Sequence, residues 1–197
     1  MPIPVGILLA AGRGERFRAA SAMDENKLLW RLQDGRRVIE ASADAMCAVL
    51  DEIVLITTPG ATFEQCRFAG NLRVIVANEA ALGMGHSLAA GASVLPVDQG
   101  IIVALGDMPA IKPSSIQIIA DALEQGADIA APIFKGRRGH PVGFAARYRD
   151  ALCALKGDVG ARDLLRREAD RVLEIVVDDP GILMDVDLPS MLQGFVC

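Results

Sequence analysis

The sequence has 197 residues, of which 52% are hydrophobic and only 4% aromatic, and its formal net charge is -5. That length fits one domain, residues 1–197, with a single core. So few aromatic side chains favour close helix-on-sheet packing over a base-stacking surface. The negative charge argues against general nucleic-acid binding, which depends on many cationic contacts to phosphates.

Short apolar runs alternate along the chain with segments of helical period. The predicted strands are residues 5–9, 53–57, 74–77, 101–105, 129–132 and 172–177. The predicted helices are residues 38–49, 62–69, 87–94 and 113–125, with two short ones at 146–155 and 161–168. Strands that are apolar throughout are typical of a sheet covered on both faces. The alternation therefore predicts an α/β fold with a doubly wound, mostly parallel sheet and helices on both faces.

Residues 134–144 interrupt this alternation with glycine and basic residues, which predicts a small β-ribbon followed by the two short helices. In open α/β sheets, ligands bind beyond the carboxyl ends of the strands. Insertions at that edge usually cover the ligand. We therefore expect this excursion to form the acceptor side of a binding site.

The end of the first predicted strand has the composition of an anion pocket. The small residues 10–12 let main-chain N–H groups approach a phosphate, while Arg13, Arg16 and then Lys27 supply cationic donors. An ordinary turn with solvated arginines is the alternative. A dinucleotide fingerprint is excluded because Phe17 stands near the place of its third glycine and the next predicted strand ends in threonine. No Gly-Lys-Ser or Gly-Lys-Thr triplet occurs, so the nucleotide-hydrolase loop is absent as well.

Carboxylates follow two apolar segments. Asp107 comes directly after the predicted strand 101–105, where it would point into the ligand crevice and could bind a hard divalent cation. The alternative is a capping role for the helix that begins near Pro113. Asp185 and Asp187 lie on one side of the chain if it is extended there, although an aspartate before a short final helix is also an ordinary N-cap.

Glycine and histidine positions give weaker signals. Residues 83–87 open a predicted helix, where Ser87 and nearby amides could hold a phosphate or a base edge. Glycine and serine are equally normal at a helix entry. His86 and His140 are the two histidines, and neither has a nucleophile at recognisable spacing. A hydrolytic triad is therefore not supported.

The four cysteines are Cys47, Cys66, Cys153 and Cys197. They are far apart and have no paired metal-ligand spacing, so we expect reduced, mostly buried thiols, with a disulfide left as an alternative. The apolar run near the N-terminus lacks a preceding basic residue and is too short to span a bilayer. We expect a soluble, cytoplasmic protein.

Six segments in sequence order resemble the MobA-like nucleotidyltransferases, in particular their molybdenum-cofactor cytidylyltransferase branch. They are residues 9–12 with Arg16 and Lys27, 83–87, 106–109, 139–141, 157–162 and 185–187. The resemblance covers most of the chain and implies a nucleotide-diphospho-sugar transferase-like, Rossmann-like fold. Two departures are Arg18, where the family usually has glycine, and residues 19–25, which place Lys27 later than usual.

The resemblance also implies roles for individual residues. The catalytic residues would be Lys27, Arg16 and Asp107. The nucleotide would contact Leu9, Ala10, Ala11, Gly12, Arg13, Gly14, Gly85 and Ser87. The acceptor would contact His140, Pro141, Asp158 and Arg162. Asp107 and Asp187 would hold Mg²⁺, and Ala11 favours CTP because an Ala-Ala-Gly loop goes with cytidine and an Ala-Gly-Gly loop with guanosine in this family.

We therefore expect a Mg²⁺-dependent enzyme that transfers CMP from CTP to the phosphate of molybdopterin or its molybdenum-loaded form and releases pyrophosphate. The expected partners are CTP and a phosphorylated pterin. A molybdoenzyme that binds transiently is considered as a further partner. No nucleic acid or membrane is expected as a partner. The alternatives are a guanylyltransferase, a sugar-phosphate or alcohol-phosphate cytidylyltransferase, and a non-catalytic carrier of the molybdenum cofactor.

Overall fold

Eight strands form one sheet in the described part of the chain, which in this computed structural model comprises residues 3–12, 26–61 and 63–188. The strands are β1 (Val5–Leu9), β2 (Ile53–Thr57), β3 (Leu72–Val76), β4 (Ile101–Leu105), β5 (Ile129–Phe134), β6 (Arg137–Arg138), β7 (Val142–Phe144) and β8 (Val172–Val176). The helices are α1 (Val38–Cys47), α2 (Met84–Ser93), α3 (Pro113–Glu124), α4 (Arg149–Cys153) and α5 (Arg162–Arg167). Short 3₁₀ helices lie at Lys27–Leu29, Asn78–Leu82, Ala146–Tyr148, Ala169–Arg171 and Pro180–Leu183.

The strands lie in the order β3-β2-β1-β4-β7-β5, and β8 pairs with β5 on its other side. Strands β1 to β4 are parallel, whereas β7 is antiparallel to both of its neighbours, β4 and β5. The short β6 pairs with the end of β5 and forms the predicted ribbon. The fold is therefore the predicted doubly wound, mostly parallel sheet, to which the ribbon adds the antiparallel strands β6 and β7.

Helices cover both faces of the sheet. Successive residues of a strand point to opposite faces, and in β1 Leu8 packs in the core layer with α1 and α3, while Ile7 packs in the layer with α2, α4 and α5. Both side chains are fully buried. The continuous apolar composition of the central strands follows from burial on both sides.

The predicted helix over residues 62–69 is wrong, because no helix forms over residues 63–69. Phe63 is buried against the core. The N–H of Arg67 donates to Oε1 of Glu40 at 2.9 Å, and the carbonyl of Gln65 accepts from Arg37 Nη1 at 2.8 Å. Side chains at the start of α1 thus bind backbone groups that a helix would have paired internally.

The described cysteines Cys47, Cys66 and Cys153 are free thiols, as predicted, but each is only partly buried, whereas mostly buried side chains were expected. Burial raises the pKa of Cys47 and of Cys66 to about 11, so both are protonated at neutral pH. Cys197 lies outside the described residues. Within the described ranges, every helix is too short or too polar to cross a lipid bilayer.

Candidate active site

The candidate site lies where β1 and β4 end side by side. Leu9 and Leu105 are register partners in this parallel pair, and the N–H of Gly106 donates to the Leu9 carbonyl at 2.8 Å. A side chain at Gly106 would come within 3.0 Å of that carbonyl and 2.7 Å of Ile39. The loop after β1 and the loop after β4 are therefore packed directly together at one edge of the sheet.

A cavity of about 270 Å³ opens between these loops. Its walls come from the end of β1, the 3₁₀ helix at Lys27–Leu29, the entry of α2 and the end of β4. The lining residues are Leu9, Ala10, Ala11, Gly12, Lys27, Leu28, Ala80, Ala81, Gly83, Met84, Ser87, Leu105, Asp107 and Asp158. We call this space the first cavity.

Lys27 lies between two carboxylates on the wall of the first cavity. Its Nζ is 2.7 Å from Oδ2 of Asp107 and 3.6 Å from Oδ1 of Asp187. The 3₁₀ helix that carries Lys27 is capped by Asn26, whose side chain accepts from the N–H of Leu28. Only 11% of the Lys27 side chain and 20% of the Asp107 side chain are exposed. This partly buried environment strengthens the attraction between the two charges, because little water screens them.

Tertiary contacts bring Asp187 to this position from the far end of the chain. The N–H of Val186 donates to the carbonyl of Asp107 at 2.8 Å, and the Val186 side chain is fully buried. Asp187 follows directly, with 34% of its side chain exposed. The second of the two candidate carboxylates, Asp185, contributes to the charge around His140 instead.

The two oxygens of Asp107 have different surroundings. Oδ2 accepts from Lys27, whereas Oδ1 is buried and has no hydrogen-bond partner among the described residues. Burying a carboxylate oxygen without a partner is costly, and a hard cation with oxygen ligands would remove that cost. The described residues hold no cluster of three or more metal-ligating side chains. Asp107 and Asp187 therefore fit a divalent cation whose remaining ligands come from phosphate or water.

The loop that enters α2 closes one side of the first cavity. Gly83 has φ +134°, and a side chain there would collide with the Asp158 carboxylate and the Gly157 carbonyl. The N–H of Gly85 donates to that same carbonyl at 2.8 Å. Gly85 is buried and is not among the residues that line the cavity. Ser87 does line it, but its hydroxyl already donates to the carbonyls of Ala80 and Gly83.

A second cavity of about 350 Å³ adjoins the first, with Leu9, Met84 and Leu105 in both walls. Its other lining residues are Leu88, Val103, Arg138, Gly139, His140, Val142, Phe144, Val159, Ala161, Arg162 and Leu165. Most of these side chains are apolar, and two arginines and one histidine add polar groups. This composition is typical of a pocket that binds a small molecule.

His140 adds a partly buried polar side chain to the wall of the second cavity. Burial lowers its pKa, against the opposing effects of the Asp107 carboxylate, the Val103 carbonyl and the Asp185 carboxylate. The imidazole is therefore neutral at pH 7. Its Nδ1 is buried and has no hydrogen-bond partner within residues 3–12, 26–61 and 63–188.

The four residues expected near the acceptor separate in the structure. His140 and Arg162 line the second cavity, and Pro141 is buried beside it in the chain. Asp158 lines the first cavity instead. Arg13, Gly14 and Arg16 lie outside the described residues.

Sequence reasoning missed several residues of these walls. Met84 separates the two cavities, and Ala80 and Ala81 line the first through the 3₁₀ helix before α2. Apolar residues in a helix entry carry no signal of this kind. Arg138 of the second cavity had a signal, because it lies in the basic ribbon two residues before His140.

Comparisons with known proteins agree with this architecture. A family model described as a MobA-like NTP transferase domain matches residues 6–172. Nicotine blue oxidoreductase of Paenarthrobacter nicotinovorans is 30% identical over 200 residues, which cover 95% of this chain and 93% of that protein.

Two solved structures have the same fold. Rv0371c of Mycobacterium tuberculosis H37Rv superposes with a TM-score of 0.80 at 26% identity and covers 99% of this chain and 100% of its own. A nucleotidyl transferase from Methanothermobacter thermautotroptrophicus superposes with a TM-score of 0.79 at 24% identity, over 96% of this chain and 94% of its own.

Proposed function

Because this chain belongs to the MobA-like NTP transferase family, we propose that it transfers CMP from CTP to the phosphate of molybdopterin or of its molybdenum-loaded form. It is a nucleotidyltransferase, and the nucleotide, the acceptor and the metal ion are the parts that we propose. We take residues 1–197 as a single nucleotidyltransferase domain.

The observation that carries the proposal is the approach of Asp107 and Asp187 to Lys27, which lines the first cavity together with Asp107. A cation flanked by two carboxylates, beside the small residues 10–12, suits a triphosphate bound with a divalent metal ion. The adjoining second cavity suits the ring of a pterin, with His140 as a neutral hydrogen-bonding group and Arg138 and Arg162 as donors to anionic substituents.

The chemistry requires no general base from the protein. A phosphate monoester is already anionic at neutral pH, so one of its oxygens attacks the α-phosphorus of CTP directly. A bond forms between that oxygen and the α-phosphorus, the bond from the α-phosphorus to the bridging oxygen breaks, and pyrophosphate leaves with the electron pair. The proposed divalent cation supplies charge neutralisation and polarises the phosphate oxygens.

The protein positions the two reactants and neutralises charge in this reaction. Residues 10–12 and Lys27 hold the triphosphate so that the α-phosphorus faces the boundary between the two cavities. Lys27 stabilises the negative charge that develops on the leaving pyrophosphate. Asp107 and Asp187 would hold the cation.

Release of pyrophosphate tests the proposal. The purified protein is mixed with MgCl₂, one nucleotide and one acceptor, and pyrophosphate is measured with each of CTP, GTP, UTP and ATP. We expect release with CTP and molybdopterin, and little with GTP. Faster release with GTP would overturn the argument from Ala11, and faster release with a sugar phosphate or a polyol phosphate would overturn the pterin assignment.

A non-catalytic carrier of the molybdenum cofactor gives no pyrophosphate with any pair. The charge cluster at Lys27 argues against that reading, because a carrier has no need of a triphosphate and metal site. The name of the Paenarthrobacter relative is that of an oxidoreductase, so the same preparation should also be assayed for oxidation of NADH and NADPH. Redox turnover without pyrophosphate release would replace the present proposal.

A further inference from the structure

Lys27 occupies the position that a metal ion would need. Its ammonium group lies 2.7 Å from one candidate ligand, Asp107 Oδ2, and 3.6 Å from the other, Asp187 Oδ1. The single positive charge of Lys27 thus already offsets part of the negative charge of this pair of carboxylates. A divalent cation that binds both would place its charge within a few ångströms of the ammonium group.

We infer that Lys27 is a displaceable counter-ion, which closes the cation site in the empty protein and moves to the phosphates when the nucleotide binds. The divalent cation and the nucleotide then bind together, and neither binds strongly alone. This inference rests on the proposed function and adds an order of events at the same site.

The electrostatics of the cluster support this coupling. The Lys27 and Asp107 side chains are 89% and 80% buried by the exposures given above, and breaking a partly buried ion pair without a replacement is strongly unfavourable. Of the described residues that line the first cavity, the acidic ones are Asp107 and Asp158. Phosphate oxygens of a nucleotide would supply the replacement partner and also complete the ligand set of the cation.

Coupling of this kind is reciprocal. If the nucleotide raises the affinity for the cation by some factor, then the cation must raise the affinity for the nucleotide by the same factor. The alternative is that a cation binds through the unpartnered Oδ1 of Asp107 while Lys27 keeps its contact with Oδ2. In that arrangement Lys27 still repels the cation but does not have to move for it to bind, so removing the ammonium group raises the affinity for Mn²⁺ much less.

The two arrangements predict gains of different size in the affinity for Mn²⁺ alone. We titrate Mn²⁺ into the whole protein without nucleotide and follow the electron paramagnetic resonance signal of the unbound ion. If Lys27 closes the site, Lys27→Gln binds Mn²⁺ more tightly than the wild type, by about tenfold or more, since a nearby positive charge has been removed. Lys27→Arg keeps the charge and should bind Mn²⁺ as weakly as the wild type does.

Matched controls identify the site and the cause. Lys112→Gln removes a positive charge whose Nζ contacts the carbonyl of Asp178, and it should leave Mn²⁺ binding unchanged. The double variant Lys27→Gln, Asp107→Asn should lose the gain in affinity. Circular dichroism melts verify that each variant is folded.

The inference is overturned if the gain in Mn²⁺ affinity of Lys27→Gln falls well short of about tenfold. The proposed function survives that result as long as Asp107→Asn weakens Mn²⁺ binding in the presence of CTP. If Asp107→Asn binds Mn²⁺ and CTP together as well as the wild type does, the metal assignment itself fails. A second readout is the factor by which CTP raises Mn²⁺ affinity, which should be smaller in Lys27→Gln than in the wild type.

Discussion

At the scale of single residues, Asp107 has the most direct consequence for chemistry. One of its oxygens is paired with Lys27, and the other is buried without a partner in the described chain. Replacing the carboxylate by an amide of the same shape keeps the packing but removes the negative charge that both Lys27 and a divalent cation need.

We expect Asp107→Asn to reduce pyrophosphate release at least about a hundredfold, because charge stabilisation by a bound metal ion contributes several kcal/mol to such reactions. The rate is measured at saturating nucleotide, and the melting temperature is measured alongside. Asp178→Asn is the matched control, since Asp178 is exposed and lies outside both cavities. Full activity of Asp107→Asn would remove this residue from the mechanism.

His140 gives a residue-scale prediction for pH. Its pKa is lower in the folded protein than in the unfolded chain because the imidazole is buried. The unfolded chain therefore takes up a proton first as the pH falls below about 6.5, the ordinary histidine pKa. Stability is complete above that pH and decreases as the pH falls towards the folded-state pKa.

The expected slope from this one group is at most about 1.4 kcal/mol per pH unit. Guanidinium unfolding of the wild type and of His140→Asn, at several values between pH 7 and pH 5, measures it. The variant should lose less stability than the wild type over that range. Equal slopes for the two proteins would show that His140 does not titrate differently on folding.

At the scale of elements, helix α3 receives its cap from a distant segment. Asp179 is buried, and its Oδ2 accepts from the N–H of Lys112 at 2.9 Å and from the Ser115 hydroxyl at 2.7 Å. Its Oδ1 accepts from the N–H of Gly181. The capping role considered for Asp107 from the sequence is therefore performed by Asp179, which also holds the segment that leads to Asp187.

Asp179→Ala should destabilise the protein by about 2–3 kcal/mol, because it removes a helix cap and leaves buried donors without acceptors. The free energy of unfolding in urea measures the loss. Asp178→Ala changes the exposed neighbour and should stay within about 0.5 kcal/mol of the wild type. A small effect at Asp179 would mean that water or another group satisfies these donors.

The entry of helix α2 depends on Gly83. A side chain there would collide with Asp158 and Gly157, and the φ of +134° is unfavourable for any other residue. Gly60 provides a matched comparison, since its φ is +84° and nothing lies within 4 Å of an added Cβ. Comparing alanine variants at the two positions separates the cost of backbone strain from the cost of steric overlap.

Gly60→Ala should cost about 1–2 kcal/mol of stability, the typical penalty for a left-handed residue. Gly83→Ala should cost about 3 kcal/mol or more, since overlap adds to the strain. It should also weaken nucleotide binding, because Gly83 and its neighbour Met84 line the first cavity, where we propose that the nucleotide binds. Calorimetric titration with CTP and Mn²⁺ measures that binding. Equal losses of stability in Gly60→Ala and Gly83→Ala would contradict the steric overlap expected at Gly83.

At the scale of the whole molecule, both cavities lie at the carboxyl ends of β1 and β4, because Leu9 and Leu105 line both of them. A ligand that fills them contacts elements from early and late parts of the chain. Such a ligand binds the folded state alone, since the unfolded chain cannot bring Lys27 and Asp187 together. Binding must therefore stabilise the entire fold.

CTP with Mg²⁺ at about a hundred times the Kd should stabilise the protein by about 2.7 kcal/mol, which raises the Tm of a domain of this size by about 5–10 °C. Differential scanning fluorimetry with each nucleotide in the presence and absence of Mg²⁺ measures the shift. We expect a smaller shift with GTP, and a much smaller one with CTP in the absence of a divalent cation. Equal shifts for the two nucleotides would contradict the preference for cytosine.

The sequence by itself determined the sheet, its helical layers and the place of the site. Apolar strands without polar alternation require cover on both faces, and strands of one parallel sheet end at the same edge. That reasoning placed residues 9–12 and Asp107 at one edge of the sheet, and both lie in the wall of the first cavity. Local patterns carry such facts because they reflect burial and backbone geometry within one element.

The tertiary structure alone decided the contacts between distant segments. It selected Asp187 over Asp185 as the carboxylate near Lys27, placed Asp158 in the first cavity rather than the second, and replaced the predicted helix at 62–69 with contacts to α1. Each of these outcomes depends on which backbone groups and charges meet after the chain has folded. A contact between side chains that are more than a hundred residues apart produces no periodic pattern in the sequence. Only the folded structure shows which side chains meet.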